Sequence, residues 1–222
     1  MNRGGRLLPL FLLTLLVPLE ASRAQIAPPK PAPMAVSVGL TWALPLADLA
    51  LQSPGTANPE DPGDGRYATA GTALTQRIAY APFGRIGLFL QATFPVFGVD
   101  VDAAQSDFQS SPPLVKGKNE IVAWIFGVRW RGGRSWQQGP YVELMTGRYR
   151  VRTELKLQGL DPEGVTHTRE PGWGAAGGWL LRVGPAFALD IGITLHEFRE
   201  DYFMNRWIGL RTLAVMTFGG ER

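Results

Sequence analysis

The chain has 222 residues, of which 18% are charged, fewer than the roughly 25% of an average soluble domain. That length allows one domain with a real core, and 27 Gly with 18 Pro favour frequent turns over long helices. Without Cys there is no disulfide framework, no thiolate metal site and no residue from which a lipid anchor could hang.

The first 24 residues read as a secretory signal peptide. Arg3 and Arg6 precede an apolar run from Leu7 to Leu19, and Ala21-Ser22-Arg23-Ala24 offers small residues at both positions a signal peptidase reads. Broken by Pro9 and Pro18, the run is too short to span a bilayer as a helix. The segment holds three Arg and one Glu, so residues 25–222 carry 19 basic and 18 acidic side chains. That part is nearly neutral, and no nucleic-acid partner is expected. Residues 25–33 contain four prolines, which predicts an extended periplasmic tail.

From Met34 onward the governing signal is alternation at period two, the mark of strands with one face in an apolar medium. Runs are predicted at Met34–Leu44, Tyr67–Tyr80, Ile86–Phe94, Val122–Trp130, Tyr141–Thr153, Trp173–Val183, Phe187–His196 and Ile208–Phe218. The run at Phe187 is the cleanest. Phe187, Leu189, Ile191, Ile193 and Leu195 share one face; Ala188, Asp190, Gly192, Thr194 and His196 share the other. No helical period competes with these runs. They are also long, nearer the roughly 9–11 residues of a tilted membrane-spanning strand than the five or six usual in soluble sheets.

The connections alternate in length. Pro45–Arg66, Gly98–Lys118, Glu154–Gly172 and Arg199–Asn205 fall at one end, while Ala81–Gly84, Arg131–Gly139 and Gly184-Pro185 fall at the other. Bacterial membrane barrels have short periplasmic turns and longer extracellular loops. The expectation is an all-β fold: a closed antiparallel up-and-down transmembrane barrel of about eight strands over 34–218, with residues 219–222 as a tail. Its first strand would run outward from the periplasm. Aromatics agree with two interfacial girdles: Trp42, Tyr67, Phe94, Trp173 and Phe198 near the long loops; Tyr80, Phe83, Trp130, Tyr141 and Phe218 near the short turns.

In this layout the chain resembles the small eight-stranded outer-membrane proteins, the group of the OmpA barrel, OmpX and OmpW, over Met34 to Phe218. The terminal Leu213-Ala214-Val215-Met216-Thr217-Phe218 is similar to that group's carboxy-terminal insertion signal, although Gly219-Gly220-Glu221-Arg222 comes after it. The resemblance implies residence in the bacterial outer membrane, contact with its lipid and lipopolysaccharide, insertion by the barrel assembly machinery, and a monomer.

With the apolar faces turned to lipid, the inward set forms an interior polar network of Arg77, Gln91, Arg129, Glu143, Arg182, Asp190, His196 and Arg211. An eight-stranded barrel is only wide enough for side chains to fill, so these charges must pair. A turn near Trp136 places Arg129 across from Glu143; the turn at Gly184-Pro185 sets Arg182 diagonal to Asp190; the last hairpin brings Arg211 near Asp190. Gly174, Ala176 and Gly178 leave one wall thin on the inside, as room for bulky neighbours such as Phe89 or as a slot.

No catalytic constellation emerges. Lipid A deacylases of this size carry a His-X-Ser pair on a strand, working as a nucleophile with its base, and here His196 is followed by Glu197 and Phe198. His167 with Ser106, Asp107 and Ser110 makes only a loose loop set. Two His without Cys, and an acidic stretch Glu60–Asp64 lacking calcium-loop spacing, offer no metal site. No cofactor is expected. The expected role is structural or surface-interacting, with a narrow conduit for small or apolar solutes as the alternative.

Overall fold

The computed structural model describes residues 33–47, 67–108, 113–132, 137–159, 163–200 and 203–219. The stretches predicted as signal peptide and tail up to residue 32, most of the first predicted loop with Glu60–Asp64, Ser110 and the last three residues lie outside them.

Eight strands close into a barrel in which each pairs with its sequence neighbours and the first pairs with the last. They are β1 Met34–Ala47, β2 Ala68–Phe83, β3 Ile86–Val99, β4 Leu114–Arg131, β5 Gly139–Leu157, β6 Glu163–Arg182, β7 Phe187–Glu200 and β8 Phe203–Phe218. All pairs are antiparallel. Partners traced from Trp42 through β2, β3 and β4 arrive on β5 at Arg152; traced through β8, β7 and β6 they arrive at Val142, ten residues away. A stagger of this kind tilts the strands by about 35–45°.

The facing matches the period-two reading. On β7, Ile191 and Ile193 are exposed while Asp190, Gly192, Thr194 and His196 are buried. Outward apolar side chains ring the barrel: Leu40 on β1, Ile78 on β2, Leu90 on β3, Trp124 on β4, Leu144 on β5 and Leu210 on β8 are all more than half exposed. A lipocalin-like soluble barrel would reverse this and expose Arg129, Glu143 and Asp190, which are 6%, 2% and 0% exposed. A charged inside and an apolar outside belong in hydrocarbon, where a closed barrel leaves no unpaired strand edge.

Three expectations are corrected. First, the loops predicted over Glu154–Gly172 and Arg199–Asn205 are largely strand, and the one over Gly98–Lys118 is strand at its two ends, Gly98–Val99 and Leu114–Lys118. β4, β5 and β6 reach 18, 19 and 20 residues, and β7 gives way to β8 across residues 201–202. Their outer ends are held by polar pairing, Lys118 Nζ lying 2.8 Å from Glu120 and 3.1 Å from Glu154, so apolar alternation does not mark them. Second, a helix, α1, spans Val101–Phe108. Asp100 caps it, its Oδ1 accepting from Ala103 N at 3.1 Å, and Ala104 packs against Tyr67 and Leu114. Two turns are too few to give a visible helical period. Third, Tyr67, Tyr141 and Phe198 are buried and do not join the girdles. Trp42 and Trp173 are exposed towards the upper end, the one carrying Ala47; Tyr80, Phe83, Trp130 and Phe218 are exposed towards the lower end. Phe198 shares the parity of Asp190, which sends it inward.

Candidate functional site

The barrel interior is where the sequence placed its candidate residues. Register brings them together: Arg77 lies opposite Gln91 on the β2–β3 ladder, and Arg129 opposite Glu143 on β4–β5. Arg211 on β8 faces Gly192, one inward step from Asp190. Because alternate residues of every strand point inward, seven side chains converge at one level.

Glu143 is the hub. One oxygen accepts from Arg77 Nη1 and from Arg129 Nε, both at 2.6 Å. The other accepts from Arg77 Nη2 at 3.0 Å and from Arg211 Nη1 at 3.1 Å. Asp190 forms a second node, taking Arg129 Nη2 at 2.6 Å and the Tyr141 hydroxyl at 2.5 Å. Arg211 Nη2 donates to Tyr141 Oη at 2.8 Å, and Arg77 Nε to Gln91 Oε1 at 3.0 Å. Aromatic faces complete the enclosure, with the Arg77 guanidinium over Phe89 and that of Arg129 over Tyr141, each 4.1 Å from the ring centroid. Charge-assisted, partly bidentate bonds of this kind are what make buried ions tolerable. This cluster of three guanidiniums and two carboxylates carries one positive charge in excess, and Arg211 Nε has no hydrogen-bond partner among the described residues.

The thin wall is filled. A Cβ at Gly178 or Gly192 would stand 2.5 or 2.4 Å from Tyr141 Oη, so these glycines make room for the phenol. Phe89 rests instead against Gly127, where a Cβ would lie 2.3 Å from the ring.

Above the ionic layer lies an aromatic one. His196 stacks on Trp207 with centroids 4.4 Å apart, and Tyr149 stacks on Phe198 at 5.0 Å. Trp207 also meets Tyr149 at 5.7 Å and Phe97 at 6.3 Å, edge to face. The His196 ring nitrogens lie 3.0 Å from the Tyr149 hydroxyl and 2.9 Å from the Thr194 hydroxyl. His196 therefore belongs to the aromatic layer and not to the ionic one.

Arg182 is misplaced in the sequence reading. It has inward parity but lies at the last residue of β6, where the barrel has ended; it is exposed, and its Nε donates to Gly184 O at 3.2 Å. Arg131, assigned to a turn, is buried at that lower mouth and donates from Nη2 to Gly84 O at 3.1 Å. Tyr141 was missed as a network member; its parity, shared with Glu143, was the available signal.

Of the loose catalytic set, Ser106 is exposed on α1, whereas Ser110 and the side chains of Asp107 and His167 lie outside the described residues. Among the described residues, no three His, Cys, Asp or Glu side chains group as metal ligands.

No family model matches the chain, and no curated protein does. Solved structures do. Neisserial surface protein A is 13% identical with a TM-score of 0.56, the alignment covering 83% of this chain and 97% of that one. Ail, the attachment invasion locus protein of Yersinia pestis, solved with the heparin analogue sucrose octasulfate, is 11% identical with a TM-score of 0.52 over 85% of this chain and 99% of that one. At such identities the likeness is one of fold: the chain has the fold of the small eight-stranded outer-membrane β-barrels.

Proposed function

We propose that this chain is a bacterial outer-membrane barrel with a structural or surface-interaction role, its lumen sealed instead of conducting. The observation that carries the reading is the ionic layer itself. Arg77, Gln91, Arg129, Tyr141, Glu143, Asp190 and Arg211, from six of the eight strands, are bonded into one cluster and buried. The stacked Tyr149, His196, Phe198 and Trp207 close the level above. A solute crossing the lumen would have to part Glu143 from three guanidiniums and unstack these rings.

Activity would then reside on the outside of the barrel or at its upper end, where α1 packs. Insertion by the barrel assembly machinery fits an alternating last strand whose Phe218 faces outward. Purified protein in planar bilayers should give little or no current. Large, stable conductance would overturn the sealed reading in favour of a conduit.

A further inference from the structure

The outward face of β5 changes character part-way up. From the lower end it reads Val142, Leu144, Thr146, then Arg148, Arg150 and Arg152, all exposed. Leu144 is 70% exposed, and Trp124, opposite Arg148 on β4, is 64% exposed. Three guanidiniums in a row directly above an apolar surface mark the level at which hydrocarbon ends, since arginine is tolerated on a barrel's outer face only near the interface.

Two other outward cations towards the upper end are neutralised. Lys118 sits between Glu120 and Glu154, and Arg206 donates to Glu197 at 2.8 Å. Arg152 lies 3.9 Å from Glu154. Arg148 and Arg150 have no ion pair among the described residues. The charged group a membrane itself supplies at this level is phosphate, and the planar guanidinium fork fits it in bidentate fashion. Same-face residues on a strand are about 6.6 Å apart, so the row extends about 13 Å. That length suits a headgroup with more than one phosphate.

We propose that Arg148, Arg150 and Arg152 bind the phosphates of a multiply phosphorylated glycolipid in the outer leaflet, its acyl chains lying against Leu144 and Trp124. This rests on the outer-membrane reading above, with the lower end of the barrel towards the periplasm.

The test uses the full-length chain and an Arg148→Gln/Arg150→Gln variant, refolded into phosphatidylcholine vesicles containing lipid A or, separately, phosphatidylglycerol. Lipid retained through exchange into detergent is then measured. The wild type should keep several-fold more lipid A than the variant, and both should keep equally little phosphatidylglycerol. Equal lipid A retention by the two proteins overturns the proposal. So does retention of phosphatidylglycerol as strong as that of lipid A, or loss of lipid A on adding inorganic phosphate, which would place a soluble anion at the row. Unboiled gel migration separates the two levels of failure. A variant that shifts like the wild type is a folded barrel, so unchanged retention counts against the arginine row alone. A wild type that does not shift overturns the membrane reading together with this one.

Discussion

Arg129 and Glu143 face each other across the β4–β5 hairpin, Nε to Oε1 at 2.6 Å, with side chains 8% and 0% exposed. The pair does not stand alone, because Arg77 and Arg211 reach the same carboxylate. Breaking an isolated buried pair costs about 3–5 kcal/mol, and replacing both partners by apolar groups can be nearly neutral. Glu143→Leu should therefore destabilise the barrel by at least about 3–5 kcal/mol in urea unfolding from vesicles. Adding Arg129→Leu should recover only part of the loss, since two guanidiniums still lack their acceptor and Asp190 loses a partner. Full recovery in the double variant would contradict the three-guanidinium arrangement.

The lipid face gives a second expectation. Ile191 stands mid-way along the outward set of β7, and Ile191→Arg should cost about 2–4 kcal/mol in a bilayer refolding assay. Thr194→Arg acts by a different route, because Thr194 is buried beside His196. It should disturb the His196–Trp207 stack and change near-ultraviolet circular dichroism, which Ile191→Arg should leave alone. A harmless Ile191→Arg would contradict the facing.

Most of the barrel was legible because parity and hairpin register are arithmetic. Once Asp190 and Ile191 are assigned to opposite faces, the facing of every other β7 residue is set, and a turn near Trp136 is enough to put Arg129 against Glu143. What parity does not encode is where the lumen stops. Arg182 and Arg131 both have inward parity at the lower mouth, yet one is exposed and the other covered by Gly84. Strand ends were illegible for a related reason: above the apolar band β4 and β5 are held by Lys118, Glu120 and Glu154, whose pattern carries no hydrophobic signal. At Tyr141 and Phe198 closeness to a strand end points to the interfacial girdles whereas parity points inward, and parity decides: both are buried.

At the upper end, Asp100→Ala should remove the cap on α1, where the Asp100 side chain accepts from Ala103 N at 3.1 Å. The loss should be about 0.5–2 kcal/mol and local. Hydrogen exchange should quicken at the amides of Ala103 and Ala104 and stay unchanged at Ile125 or Leu213 in the barrel wall. Exchange quickening equally in the wall would show α1 to be part of the barrel's cooperative unit.

The last expectation concerns the space around Tyr141. A Cβ at Gly192 would come within 2.4 Å of Tyr141 Oη and 2.8 Å of Gly177 O. Gly192→Ala should therefore push the phenol away from Asp190 and Arg211, at about 1–3 kcal/mol for overpacking. Tyr141→Phe deletes the same oxygen and with it the bonds to Asp190 at 2.5 Å and from Arg211 at 2.8 Å, leaving buried charges less satisfied. Each single change thus removes the same pair of hydrogen bonds, while the closest clash exists only if the oxygen is present. The double variant should be less unstable than the sum of the singles by about 0.5–3 kcal/mol, a coupling expected of groups in direct contact. It should not return to wild-type stability, because the Gly177 carbonyl still crowds the new methyl group. Strict additivity in urea unfolding would mean that Tyr141 does not lie over Gly192, and the inward path of the phenol towards Asp190 would be wrong.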